Sequence, residues 1–89
     1  MVSSKFKVRN PNGLHLKPAG FLCNVALEYD CKITLHTRGK YVNAKSVIGV
    51  LSACVKGGEE IEIICEGVDE QQALERMLIC FESGLGELF

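Results

Sequence analysis

His15 is the residue whose type and place along the chain most directly suggest chemistry. It stands between a turn-forming run, Asn10-Pro11-Asn12-Gly13, and a segment that opens as a helix around Lys17-Pro18. A side chain there overhangs the first N–H groups of the helix, which have no intrahelical acceptors, at the positive end of the helix dipole. Those donors make an anion site, and an imidazole standing over it is placed to act as a nucleophile towards a bound anionic group. Lys17 adds a cation, and Gly13 lets the backbone come close to a bound group with no side chain in the way. On these residues alone two readings stay open: a nucleophilic histidine in an anion site, or a solvated or capping one.

Other reactive side chains carry less. His36 falls on the polar face of a predicted strand with no motif around it and reads as solvated surface. The five cysteines, Cys23, Cys31, Cys54, Cys65 and Cys80, are odd in number and lack the spacing of a zinc knuckle or a CxxC pair. Each lies on or beside an apolar position, which predicts core filling by reduced thiols. The sequence calls for no metal and no cofactor. Ser46, just before Val47-Ile48-Gly49-Val50-Leu51, reads as a helix N-cap.

The elements that must position these residues follow from periodicity. Lys5 to Arg9 alternates Phe6 and Val8 with charged residues, as a half-buried strand does. A helix follows, with Pro18 in its first turn, Ala19, Leu22, Cys23 and Ala26 as its buried stripe, and an end near Tyr29-Asp30. Cys31, Ile33 and Leu35 alternate with polar residues, and after Arg38-Gly39 the chain resumes over Lys40 to Asn43, which makes a hairpin. A short helix capped by Ser46 is expected to close at Lys56-Gly57-Gly58. The next strand has Ile61, Ile63 and Cys65 on one face and Glu60, Glu62 and Glu66 on the other. Asp69, with Gln72 three residues on, predicts a capping box for a last helix that buries Ala73, Leu74, Met77, Leu78 and Phe81 and ends at Gly84. The order is βαββαβα. The economical arrangement is an α+β open-faced sandwich, a four-stranded antiparallel sheet with three helices on one face and the glutamates on the wet face.

Two blocks of sequence carry a resemblance. Gly13-Leu14-His15-Leu16-Lys17-Pro18-Ala19 is similar to the active-site motif of the HPr family, the histidine-containing phosphocarriers of the phosphoenolpyruvate:sugar phosphotransferase system. Asn43-Ala44-Lys45-Ser46-Val47-Ile48-Gly49-Val50-Leu51-Ser52 is similar to the family's segment around its regulatory serine. The likeness continues through Lys56-Gly57 and Gly67-Val68-Asp69-Glu70 to Ser83-Gly84-Leu85-Gly86-Glu87, so the whole of residues 1–89 reads as one HPr-like domain.

The resemblance implies that His15 accepts a phosphoryl group on Nδ1 from enzyme I and passes it to IIA components of sugar permeases, as a phosphohistidine carrier rather than a turnover enzyme. Lys17 would assist, with Asn12, Gly13 and Pro18 supporting the phosphate site. Ser46 would be the target of the HPr kinase/phosphorylase, with a catabolite-control transcription regulator as a partner of the modified form. Leu16, Gly20, Val47, Ile48 and Leu51 would form an apolar docking patch. Leu51 is as consistent with the core, and Val47 and Ile48 are adjacent in a short helix and cannot both point inward. The chain departs from the family in Lys17, where the family has arginine, in Cys54, where many relatives have glycine, and in Leu16, where they have a small residue. Lysine offers a point charge in place of a planar fork, which implies altered transfer rates. The alternative is an HPr-fold regulatory protein controlled through Ser46 with little transport role.

Composition bounds these readings. The chain has 89 residues, 47% hydrophobic and 24% charged, enough for one core. No apolar run reaches the length of a secretory or membrane-spanning segment, so a cytoplasmic monomer without membrane insertion is expected. Net charge is −1, and aromatics do not interleave with the basic residues, which argues against a nucleic-acid partner. No carboxylate is paired with His15 in the sequence as a pocket of convergent acid and base groups would require, which argues against a small βα enzyme or ligand-binding domain unrelated to phosphotransfer. Charge is nonetheless split: residues 1–45 carry eight Lys or Arg against two acids, and residues 46–89 two against nine. That split makes either a basic face for an acidic partner or charges that interleave once the chain is folded.

Overall fold

The alternation of Ile61, Ile63 and Cys65 with glutamates builds the strand on which the rest of the sheet is assembled. In a computed structural model describing residues 1–86, the order is β1 (Val2–Lys7), α1 (Leu16–Ala26), β2 (Lys32–Thr37), β3 (Lys40–Asn43), α2 (Val47–Ser52), β4 (Glu60–Glu66) and α3 (Glu70–Glu82). The four strands lie in the order β1-β4-β2-β3, every pair antiparallel. β4 is therefore central, and its apolar face meets the helices: Ile61, Ile63 and Cys65 are buried with Ile33 and Leu35 of β2 beneath Leu22, Ala26, Leu74, Met77 and Phe81. Phe81 is wholly buried, its ring centroid 5.6 Å from that of Phe6. Burial of a side chain this size stabilises by about 2–3 kcal/mol.

On the open face the two halves of the chain interleave. Lys5 lies opposite Glu62, Lys7 opposite Glu60 and Lys32 opposite Glu66. Cross-strand pairs of opposite sign contribute about 0.2–1 kcal/mol each, so on the sheet the uneven charge of the sequence is spent in lateral pairing.

Several boundaries move from those the sequence predicts. The first strand is Val2–Lys7 rather than Lys5 to Arg9, because β4 offers partners only from Cys65, opposite Val2, to Glu60, opposite Lys7. α1 stops at Ala26, and Glu28 and Tyr29 donate to the carbonyls of Val25 and Ala26, the tighter pattern of a closing turn. α2 closes at Ala53, not at Lys56-Gly58, with Cys54 in the left-handed region at φ 53°. The hairpin turn is Arg38-Gly39, with φ 48° and 76°, both positive as a type I′ turn requires. α3 ends as predicted at Gly84: Leu85 donates to Cys80 and Gly84 to Phe81, the paired bonds of a Schellman motif, with Leu85 buried beneath.

The capping box at Asp69 does not form. Asp69 is the N-cap of α3, but its carboxylate accepts from the backbone N–H groups of Asp30 and Cys31, at 2.9 Å each. Those bonds, the one from Asp30 first, hold its carboxyl below the ordinary carboxylate value. A carboxyl with a depressed folded pKa contributes stability that is complete above its unfolded pKa and is lost as pH falls through the folded one. Asp69→Asn is therefore expected to melt below the parent at pH 7, the two curves converging as pH is lowered. Thermal melts followed by circular dichroism across the acid range check this; parallel curves would show that Asp69 is not so coupled.

His36 is not the solvated residue its sequence setting predicts. It is half-buried, its Nδ1 is 3.3 Å from Glu62 Oε1, and its ring stacks on Tyr41 at 4.1 Å between centroids. The register puts Glu62 and Tyr41 on either side of it, a cross-strand relation that local sequence does not carry. Four of the five cysteines are buried as expected, and burial pushes the thiols of Cys23 and Cys65 up, and that of Cys31 up to about 12. Cys54 is the exception and is exposed.

Candidate functional site

Helix α1 begins where the sequence stops forming turns. His15 is its N-cap in an extended conformation, φ −82° and ψ −167°, and its carbonyl accepts from Ala19 N–H at 2.9 Å. Its side chain makes no cap bond and is partly open to solvent. Pro18 is buried in the third helical position and has no N–H to leave unmade, so the first-turn donors lacking intrahelical partners are those of Leu16 and Lys17. The Lys17 side chain is exposed at the same helix end. Backbone donors and the positive end of an eleven-residue helix thus lie beside an imidazole, with the exposed Lys17 two residues on. That arrangement can hold an anionic group and orient it against a ring nitrogen.

Gly13 is needed for a reason other than room for a bound group. Its φ is +69°, and a Cβ placed there would lie 2.0 Å from the carbonyl oxygen of Val55. The close approach is thus to the protein's own loop, to which Leu14 N–H also donates, reaching Val55 O at 3.0 Å. Asn12 is exposed at the tip of the turn. Asn10, which the sequence marks only as a turn former, is wholly buried: its carbonyl accepts from Gly13 N–H and its Nδ2 donates to Gly84 O at 2.9 Å, tying the His15 loop to the end of α3.

Ser46 is the N-cap of α2, and its Oγ accepts from Gly49 N–H at 3.1 Å. The turn before it is held by Asn43, whose carbonyl takes Ser46 N–H and whose Oδ1 takes Lys45 N–H. α1 packs against α2, and the expected docking residues divide between surface and core. Leu16 is 67% and Ile48 80% exposed, whereas Val47 and Leu51 are partly buried against the core. Gly20 is half-buried with open space above its Cα. Phe21, 40% exposed and lying against Gly86, adds an aromatic that sequence reasoning missed; its place off the buried stripe of α1 was the available signal. A cavity of about 640 Å³ lies elsewhere, against Lys32, Thr34, Tyr41, Asn43 and Ile64, and includes neither His15 nor Ser46.

The family model for the PTS HPr component phosphorylation site matches residues 2–83. The HPr-like protein Crh of Bacillus subtilis is 40% identical over 77 residues, 86% of this chain and 91% of that protein. A solved structure of Crh, described as a swapped dimer, superposes with a TM-score of 0.76 at 37% identity, covering 94% of this chain and 97% of that one. The phosphocarrier protein HPr of Chlamydia muridarum is 34% identical over 87 residues, 98% of this chain and 84% of that protein. HPr-C-His from Thermoanaerobacter tengcongensis superposes with a TM-score of 0.94 at 31% identity, each chain covered in full.

Proposed function

The chain belongs to the HPr family, and from that premise we propose that it is a phosphocarrier in which His15 takes a phosphoryl group from enzyme I and hands it to IIA components of sugar permeases. The observation that carries this reading is the placement of His15: a partly exposed imidazole at the N-cap of α1, beside the Leu16 and Lys17 N–H groups. Negative charge spread over the transferring phosphoryl oxygens meets those donors, the helix dipole and the Lys17 ammonium, and little else is needed, because such transfers are catalysed mainly by positioning and charge stabilisation. Lys17 acts as a point charge without the bidentate grip of arginine. Asn12, Gly13 and Pro18 shape the loop and helix start that aim the ring.

Docking uses Leu16 and Ile48 as the exposed apolar contacts, with Gly20 leaving room between them and Val47 and Leu51 as the floor. Ser46 is a second site, phosphorylated by the HPr kinase/phosphorylase. A phosphate there keeps an acceptor for Gly49 N–H while adding nearly two negative charges to a docking face, which repels an acidic partner and suits a transcription regulator able to read the phosphate. The whole chain works as one HPr-like domain, a cytoplasmic monomer without cofactor; among the described residues no helix is long and apolar enough to cross a membrane. Sedimentation that returns the mass of two chains removes the monomer from this reading.

A second reading is favoured by the similarity to Crh: an HPr-fold regulator worked through Ser46 with little transport role. One experiment separates the two. With phosphoenolpyruvate and enzyme I the carrier acquires an acid-labile, base-stable phosphate; with ATP and the kinase it acquires an acid-stable one that Ser46→Ala lacks. Absence of the acid-labile label sinks the carrier reading, and the acid-stable label alone leaves the regulator.

A further inference from the structure

Arg38, at the corner of the β2–β3 hairpin, reaches across to the loop that follows α2. One guanidinium nitrogen donates to Glu59 Oε2 at 2.5 Å; the other donates to the carbonyl of Ala53 and, at 3.3 Å, to that of Cys54. These carbonyls belong to the two peptide groups flanking Cys54, a residue held at φ 53°, where side-chain-bearing residues seldom sit. Glu59 turns back with its other oxygen to accept Lys56 N–H at 2.5 Å. One cation therefore fastens both ends of residues 53–59, and bonds from a charged fork are the stronger kind.

The segment so fastened is the one on which the His15 loop rests. Val55 O accepts Leu14 N–H, and the Val55-Lys56 backbone fills the space over Gly13. Gly57 backs onto the next part of the same loop, where a Cβ would stand 2.5 Å from the Pro11 carbonyl oxygen and 2.6 Å from that of Asn10. Val8 and Gly58 complete the seam, Val8 N–H donating to Glu59 O and Gly58 N–H to Val8 O, at 2.9 Å each. A shift of residues 53–57 is passed to residues 10–14 with no flexible side chain between them to absorb it.

We propose that Arg38 is a positioning residue for phosphoryl transfer at His15: by clamping both peptide groups of Cys54 and the Glu59 carboxylate, it sets the 53–59 loop against which the His15 loop is placed. The proposal rests on the phosphocarrier reading. Arg38 touches neither His15 nor any reacting group in the bonds described, and its work is done through backbone. As an exposed ion pair with Glu59 it would matter little; as a clamp it governs geometry, to which transfer rates are steeply sensitive.

The test uses the full chain as parent, Arg38→Ala and Arg38→Lys. In steady-state transfer from phosphorylated enzyme I, Arg38→Ala is expected to lower kcat roughly tenfold with KM within about twofold, since the docking residues are untouched. Amide hydrogen exchange at Leu14 should quicken roughly tenfold while that of Ile63, in the central strand, stays at the parent rate, the mark of a local opening. Arg38→Lys, which can hold Glu59 or one carbonyl but not the whole set, should fall between. Unchanged kcat and Leu14 exchange overturn the proposal, as does equal acceleration at Leu14 and Ile63 with kcat unchanged, which is what general stabilisation alone would give. Should the parent accept no phosphoryl group, the phosphocarrier reading fails on its own, and Leu14 exchange still decides whether Arg38 sets the loop.

Discussion

His15→Ala is expected to reduce phosphoryl uptake from enzyme I by at least about a thousandfold, to background, while leaving the fold standing. No other imidazole can substitute: His36 is on the opposite side of the sheet from the helices, stacked on Tyr41 and set against Glu62. A hydroxyl such as that of Ser46 would give an ester, which survives acid, and so could not mimic the lost label. The small structural cost follows from what the side chain contributes. It is partly exposed and caps no helix N–H, while the carbonyl that receives Ala19 N–H belongs to the backbone and is kept in the variant. Loss of a partly exposed side chain that leaves these backbone bonds standing costs about 1 kcal/mol, a shift of roughly 4–8 °C in a domain of this size. Quench-flow labelling beside a thermal melt checks both halves. Retained acid-labile label would remove His15 as the acceptor, and loss of label together with a drop above about 10 °C would assign the loss to unfolding instead.

The layout around His15 was legible in the sequence wherever the determinant was local. The turn formers at residues 10–13, Pro18 in the first turn and the Ser46 cap all fold as their chemistry dictates, because each acts within a few residues of itself. The strand faces were legible for the same reason, an alternation of Ile61, Ile63 and Cys65 with glutamates having only one way to lie on a helix-covered sheet. What failed was what depends on a partner distant in the chain. Asp69 gives up its expected cap for two N–H groups at residues 30 and 31. His36 is half-buried because register sets it between Glu62 and Tyr41. Gly13 stands out in the sequence as leaving room for a bound group, but nothing in residues 10–18 tells that the Val55 carbonyl lies over it.

That neighbour makes Gly13→Ala the more damaging of the two substitutions at the loop, and in the opposite sense: the fold suffers first and the chemistry through it. Two costs add. At φ +69° an alanine is in the left-handed region, unfavourable by about 1–2 kcal/mol. Its Cβ would also stand 2.0 Å from Val55 O, 2.8 Å from Lys56 Cα and 2.9 Å from Val55 C. All three are backbone atoms, so no rotamer change relieves the contact and the loops must part. Parting them breaks the Leu14 to Val55 bond in a buried setting, worth a further 1–3 kcal/mol or so. The sum, about 4 kcal/mol, is a large share of the 5–15 kcal/mol that holds a typical domain together, and it predicts a melting point lower by roughly 20 °C. Below that temperature the variant should still take up phosphate, but slowly, because His15 directly follows Leu14 and moves with it. A melting point within about 5 °C of the parent would mean that the loops separate at little cost and that Val55 does not fix the place of His15.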